Sequence, residues 1–554
     1  MIRARFGGKV SANFLAYGVS FVALSGLLLL APPAPAEVVK AEKADNFVDM
    51  FGVVVHISRG NGVLADDEEN WPNVRDGIAE VGFRYVRTTL TKTMWIPRAL
   101  DMYARGIRFD FRIDSRPLAG GGGNGAELDP TRIPEMVDMA KQVGIDAILS
   151  FECANEYNAN WETLPGWAGQ LKAFMSELKD RVTEDPEIAD KPIVAPAIWR
   201  RKVEDYQAMA DLNIAKDTTK GNLHNYTGGR LPGYELEDRI ADARTMTGDQ
   251  PIWVTEYGYR TDDTDHVSET AKAKYLPRYA GLLFNDERVE RAFNFQIIDE
   301  WPAEERPDST WGLLDNNFGK RPAFYAMKNT FALLADAAGG DFGTGSLDYQ
   351  LNGASSDIRH FLVQKSDGRF LLGIWREVES YSQETEADID VAPQEVELAF
   401  NTPVLQARTF LPTALHVPLS PDDGTLPVCL DPDGSDCDNG TYSLPMSIVL
   451  PVPDQLVIVE ITRDGDAFSP SIPADVAVAQ GNKRYVTVSW DASSDNVGVV
   501  TYKLYESGNP WRTTTGTSYT FRGRKGRTYA FSVSAVDAAG NESARSEPVV
   551  LTVK

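Results

Sequence analysis

The chain has 554 residues, a formal net charge of -25, 24% charged and 43% hydrophobic residues, and only three cysteines. At roughly 100–200 residues per domain this predicts three or four units. The acidic balance repels nucleic acid and other polyanions, and it sets strongly anionic polysaccharides outside the expected substrates unless a local basic cleft overrides it.

Residues 1–36 read as a secretory signal. Arg3, Arg5 and Lys9 give a positive start, 14–30 is mostly apolar, and Ala34-Pro35-Ala36 offers small residues for cleavage. The rival is a membrane anchor, since the apolar run approaches the length that spans a bilayer. Cleavage leaves a mature charge of -25 - 3 = -28 and a secreted, periplasmic or cell-envelope protein. No later stretch is apolar enough to span a membrane.

From residue 45 the pattern alternates. Strand-like runs at 51–57, 83–88, 107–113, 145–156, 193–198, 222–226, 251–255 and 292–298 are each followed by a helical pattern, at 71–81, 95–105, 130–143, 167–182, 204–212, 234–246, 268–284 and 322–334. Eight such units predict a (β/α)8 TIM barrel over 45–338. The strands are continuous apolar runs, as strands buried on both faces require. Beyond Gly339 strand follows strand, at 360–363, 370–375, 396–400, 404–410 and 456–461, so 339–463 reads as an all-β sandwich. A linker at 464–473 precedes a second sandwich pattern at 474–554.

The chemistry centres on two strand ends. The fourth strand runs into Asn155-Glu156, and the seventh, 100 positions later, into Thr255-Glu256. A barrel works at the C-terminal ends of its strands. Two carboxylates delivered there are what glycoside hydrolysis needs, one to protonate the leaving oxygen and one to attack the anomeric carbon or activate water. Glu256 must stay ionised, so it needs a cationic or hydrogen-bonding neighbour. Arg87 and Tyr226 lie on strand ends that can face it. Glu152, four residues before Glu156, falls on the same strand face and reads as a buried carboxylate paired with Arg87 or Arg112.

His56 and His224 also fall on strands near the mouth, as substrate contacts or as hydrogen-bonded core residues. No pair has metal-ligand spacing, so no metal is expected. Asp299 and Glu300 end the eighth strand and read as substrate ligands. Trp161, Trp167, Trp199, Trp301 and Trp311 follow the fourth, fifth and eighth strands, where aromatic faces stack on sugars; Trp301, next to Asp299-Glu300, is the first choice. Gly120–Gly123 lacks the ending of a phosphate loop. Cys429 and Cys437 bracket a polar loop and can pair on export, with Asp431–Asp436 between them as a solvated turn rather than a calcium loop. Cys153 reads as a small core residue.

The barrel resembles the retaining glycoside hydrolases of clan A, and within them family 39. The residues that carry this are Asn155-Glu156, Thr255-Glu256-Tyr257-Gly258, Arg87, Gly221-Asn222-Leu223-His224-Asn225-Tyr226, Ile298-Asp299-Glu300 and Trp311-Gly312-Leu313-Leu314 leading into Lys320-Arg321-Pro322. Tyr157 stands where the clan often has proline. The resemblance covers about residues 50–338. It implies Glu156 as acid/base, Glu256 as nucleophile, Asn155 as the partner of the sugar 2-hydroxyl, a carbohydrate substrate from a cell-surface or extracellular polysaccharide, and no cofactor. The last 80 or so residues resemble a bacterial fibronectin type III domain, on Trp490, Tyr502, Tyr529 and the run from Val536 to Ser543. The rival functions are a non-catalytic carbohydrate-binding or adhesion protein on the same scaffold, and an inverting hydrolase.

Overall fold

Eight short parallel strands account for the centre of the molecule. In the computed structural model they are β1 (Phe51–Val54), β2 (Tyr85–Thr88), β3 (Arg108–Arg112), β4 (Ile148–Glu152), β5 (Ile193–Val194), β6 (Gly221–Asn225), β7 (Ile252–Tyr257) and β8 (Val289–Asn294). The structure describes residues 37–58, 63–64, 69–116, 126–160, 164–262, 265–301, 305, 310–336, 342–400, 404–413, 447–463, 469–495, 499–537 and 540–554. The expected signal at 1–36, the glycine run, Trp161, Cys429, Cys437 and Asp431–Asp436 lie outside the described residues.

The strands pair in the order β5-β4-β3-β2-β1-β8-β7-β6, all in parallel. A parallel bridge from Val194 to Lys220 and a hydrogen bond from Ala195 N–H to the Lys220 carbonyl at 2.9 Å join β5 to β6 and close the ring. The predicted TIM barrel is the observed fold. Gly52 on β1 lets the strands approach: a Cβ there would lie 2.6 Å from the Phe293 ring and 2.8 Å from the Tyr85 carbonyl.

The outer helices are α1 (Trp71–Val81), α2 (Ile96–Tyr103), α3 (Ile133–Val143), α4 (Trp167–Thr183), α5 (Val203–Asp211), α6 (Leu236–Thr247), α7 (Glu269–Phe284) and α8 (Pro322–Leu334). Their signals are local. Helix α1 has Pro72 in its first turn, buries Val74, Ile78 and Val81 on one face, and stops at Gly82 with φ 96°. Helix α7 starts at Ser268, whose Oγ accepts from Ala271 N–H at 2.9 Å. Among the described residues no helix is long and apolar enough to cross a membrane.

Two antiparallel sheets follow the barrel. One joins Ser346–Asn352, Gln394–Phe400 and Ser447–Val452; the other joins Val404–Phe410, Val457–Arg463, Phe370–Arg376 and Ile358–Gln364. The stretch before the barrel is part of both. Glu37–Lys40 pairs with Ser346–Asn352 in the first sheet, and Glu42–Lys43 lies parallel to Val363 and Gln364 in the second. The sandwich packs on α7: Gly281 lies against the Trp375 indole, and Arg278 Nη2 meets Glu377 at 3.0 Å in an interior pair. At the C-terminus a three-stranded sheet (Ala477–Gln480, Tyr485–Ser489, Ser518–Arg522) faces a four-stranded one (Asn509–Thr514, Val499–Glu506, Thr528–Asp537, Val549–Thr552) over a core that holds Trp490, Tyr502 and Phe531.

Candidate active site

Strand β4 ends at Glu152, and the next four residues turn out over the barrel mouth. Asn155 N–H donates to Asp114 Oδ2 at 3.2 Å, Arg116 donates to the Asn155 carbonyl, and Glu156 N–H donates to the Ala197 carbonyl at 3.1 Å. The turn is thus fixed to the segments after β3 and β5. Glu156 is forced to φ 46°, a left-handed conformation that costs about 1–2 kcal/mol in a residue with a Cβ. Tyr157 is fully buried beneath the Arg116 guanidinium, 5.3 Å from ring centroid to Cζ, which gives the tyrosine a packing role at the clan's usual proline position. Cys153 is buried beside it, and burial pushes its thiol pKa up, so it is an inert core residue.

Strand β7 delivers Glu256 opposite. Arg87 Nη1 donates to Glu256 Oε1 at 2.6 Å, and Tyr226 Oη donates to Oε2 at 2.6 Å. His224 Nδ1 lies 2.8 Å from Glu156 Oε1 and 3.3 Å from Glu256 Oε2. One ligand atom each of Glu156, His224 and Glu256 lie within 4.8 Å of one another. This is the group among the described residues that could hold a metal ion. Burial pushes the Glu256 carboxyl up, but the His224 imidazole, Arg87 and the Tyr226 hydroxyl together hold its pKa below the ordinary value.

A second layer lies underneath. Arg87 Nε and Nη2 donate to Glu152 Oε2 and Oε1 at 2.5 and 2.7 Å, and Nη2 also reaches Asn155 Oδ1 at 2.8 Å. Of the two arginines expected for Glu152, the structure pairs it with Arg87. Asn222 Nδ2 donates to Glu152 Oε1 at 3.1 Å, and Thr255 Oγ1 to Asn222 Oδ1 at 2.7 Å. Burial and the neighbouring Glu152 push the Asp110 carboxyl well above its usual range, whereas Arg87 keeps Glu152 below its own against the effect of burial.

The remaining expected residues are placed less uniformly. His56 Nδ1 meets Glu300 Oε1 at 2.6 Å, and the His56 ring lies 6.0 Å from Phe295. Asp299, expected as a substrate ligand, is buried: Oδ1 accepts from Gly312 N–H at 2.6 Å and Oδ2 from Arg321. Trp301 is half-buried in the segment after β8. The Trp311 indole lies 4.8 Å from the Tyr226 ring and 5.7 Å from Phe295. Phe295, 6.1 Å from Tyr226, was not expected there; its place directly after the end of β8 is the signal that could have found it. Trp199 stacks under Arg200 at 4.1 Å, and Trp167 packs against the barrel core.

Residues 193–320 match the family model described as glycosyl hydrolase catalytic core. Among curated proteins, chitinase A1 of Niallia circulans is 40% identical over 88 residues, 16% of this chain and 13% of that protein. The chain thus spans under a fifth of the length of that relative. Among solved structures, a family 39 glycoside hydrolase from Bacteroides cellulosilyticus aligns with TM-score 0.44 and 13% identity over 76% of this chain and 81% of that one. A glucosidase from Croceicoccus marinus aligns with TM-score 0.46 and 11% identity over 77% and 98%. The segment from β5 through Glu256 to the turn before α8 thus matches a glycosyl hydrolase catalytic core.

Proposed function

We propose that the chain is an exported retaining glycoside hydrolase acting by double displacement on a cell-surface or extracellular polysaccharide or its oligosaccharides. Glu256 attacks the anomeric carbon while Glu156 protonates the leaving oxygen. Glu156 then takes a proton from the water that releases the sugar from Glu256. The observation that carries this reading is the approach of the two carboxylates, with oxygens within 4.8 Å. Direct attack needs carboxyl groups about 5–5.5 Å apart, whereas inversion needs about 6.5–9.5 Å to seat a water between them.

The surroundings support the same roles. Arg87 and Tyr226 keep Glu256 ionised. Asn155 gives its oxygen to Arg87, which leaves its amide N–H groups for a sugar hydroxyl. Trp311 and Phe295 supply an aromatic wall beside Tyr226. The C-terminal sandwich, which resembles a fibronectin type III domain, acts as a spacer that holds the barrel against insoluble material.

The test is hydrolysis of a panel of aryl glycosides and polysaccharides by the mature protein, with the first-formed anomer followed by proton NMR. Retained configuration, and loss of turnover in both Glu256→Gln and Glu156→Gln, is the expected result. An inverted first product excludes double displacement. Sugar binding with no turnover on any substrate favours a carbohydrate-binding protein on the same scaffold.

A further inference from the structure

The peptide between Asn155 and Glu156 is held at both ends. Its carbonyl accepts from the Arg116 guanidinium, and its N–H donates to the Ala197 carbonyl at 3.1 Å. In a trans peptide these two groups point to opposite sides, so the plane is gripped between the segments after β3 and β5. The rotation from that plane to the Cα of Glu156 is the φ of 46°. A residue with a Cβ stays in this region only where its surroundings over-determine it. The same rotation brings Glu156 Oε1 to 2.8 Å from His224 Nδ1, which itself lies 3.3 Å from Glu256.

One of the two grips is main chain, and the other is the Arg116 side chain. Arg116 is buried, and its own place is fixed from two directions. Nε and Nη2 donate to Asp114 Oδ1 and Oδ2 at 2.9 and 2.7 Å, and Asp114 Oδ2 also accepts from Asn155 N–H at 3.2 Å. This bidentate fork sets the plane of the guanidinium. The Tyr157 ring lies beneath it, 5.3 Å from Cζ, and Tyr157 Oη donates to Gln170 Oε1 on α4 at 2.5 Å. Burial pushes the Asp114 carboxyl up, but the Arg116 guanidinium holds it below the ordinary carboxylate range, so the pair is ionic. The ion-pair partner of Arg116 is Asp114; its hold on Glu156 runs through the backbone.

We propose that Arg116 is the positioning residue of the acid/base Glu156, holding the Asn155 carbonyl so that the Glu156 carboxyl stays within reach of the leaving oxygen and then of the incoming water. The proposal rests on the hydrolase reading of the site. Without Arg116 the Asn155–Glu156 peptide is held by Ala197 alone, Glu156 relaxes toward negative φ, and its carboxyl leaves its place opposite Glu256. Glu256 itself sits on β7 between Arg87 and Tyr226 and keeps both contacts. Loss of Arg116 therefore impairs the steps that move a proton and spares nucleophilic attack.

The experiment compares the full mature chain with Arg116→Met, Arg116→Lys and Glu156→Gln on the phenyl and 2,4-dinitrophenyl glycosides of β-D-xylose, β-D-glucose, β-D-galactose and α-L-arabinose. Dinitrophenolate leaves without a proton, whereas phenolate needs one. Arg116→Met is expected to lose about 100-fold in kcat/KM on the phenyl glycoside, mostly in kcat, and about threefold or less on the dinitrophenyl one. Arg116→Lys, which reaches Asp114 or the Asn155 carbonyl but not both, is expected to fall between and serves if the methionine variant does not fold. Azide, which needs no base, is expected to restore kcat of Arg116→Met on the dinitrophenyl glycoside. It bonds to the anomeric carbon as the bond to Glu256 breaks, and the electron pair returns to the carboxylate. Equal loss with both leaving groups means that Arg116 only supports the fold and overturns the proposal, as does no loss with either. Discrimination in Glu156→Gln but not in Arg116→Met overturns it and leaves the hydrolase reading standing. Wild-type turnover of both glycosides by Glu156→Gln fells the acid/base assignment, and the proposal with it.

Discussion

Arg87 and Glu152 meet edge to edge at the floor of the mouth, two parallel hydrogen bonds of 2.5 and 2.7 Å between side chains 1% and 0% exposed. Removing one member of such a pair leaves the other charge buried and uncompensated, at about 3–5 kcal/mol. Glu152→Ala is expected to lose that much in urea unfolding. It should also lose turnover, because the guanidinium that reaches Glu256 is no longer aimed from behind. A variant as stable as the wild type would show that the pair does not support the floor.

Tyr226→Phe removes the hydroxyl that donates to Glu256 Oε2 at 2.6 Å. A hydrogen bond to a charged group contributes about 1.5–3 kcal/mol, so kcat is expected to fall about 10- to 100-fold. The sign of the pH effect follows from the lowered pKa of Glu256. Activity needs the ionised form and is lost as pH falls through the depressed value, so the acidic limb of the wild type lies below the usual glutamate value of about 4.3. Without Tyr226 that limb moves to higher pH. The stability contributed by ionised Glu256 behaves likewise: present above its unfolded pKa, lost as pH falls through the folded one. A pH–rate profile of the variant that coincides with the wild type would count against the assignment of Glu256.

Asp110 carries the opposite sign. Its pKa is raised in the fold, so its contribution is full below the unfolded value and is lost as pH rises through the folded one. Asparagine resembles the protonated carboxyl and does not titrate. Asp110→Asn is therefore expected to be folded, with a stability relative to the wild type that improves as pH rises from about 4 to 8. Thermal melting across that range reads it. A constant difference at every pH would mean that Asp110 holds no proton.

Trp311→Ala takes away the ring 4.8 Å from Tyr226. The expected loss is about 1–2 kcal/mol of sugar contact and Tyr226 support, or about 5- to 30-fold in kcat/KM, mostly in KM. Trp301→Ala is the comparison, and a larger effect there would favour Trp301 as the platform.

The barrel was legible because strand-like runs alternate eight times with helical patterns, some of them with a clear stop or start signal, as at Gly82 and Ser268. Glu256 and Arg87 were legible as strand residues, whereas Glu156 and Tyr226 lie just past strand ends, and Glu156 reaches the mouth on a turn tied to Asp114, Arg116 and Ala197. What depends on loop course was not legible. Nothing local distinguishes Trp311 from Trp301, or forecasts that Asp299 turns back to Gly312 and Arg321. The choice between Arg87 and Arg112 as partner of Glu152 is made by barrel layering, which no single strand encodes. The strands Glu37–Lys40 and Glu42–Lys43 are too short and polar to announce themselves; they exist because Ser346–Asn352 and Ile358–Gln364 offer edges to pair with.

Those two N-terminal strands make the sandwich discontinuous in sequence. Its sheets are begun before the barrel and finished after it, so the barrel is in effect an insertion within the sandwich. A cut near residue 340 would strand one end of the sandwich on the barrel, unpair Glu37–Lys40 from Ser346–Asn352, and bare the α7 face that Trp375 and Glu377 cover. The two C-terminal sheets from Ala477 add no strand to either sheet of that sandwich. Removal of residues 469–554 is expected to leave a folded, active enzyme that works on soluble sugars and loses ground only on insoluble ones.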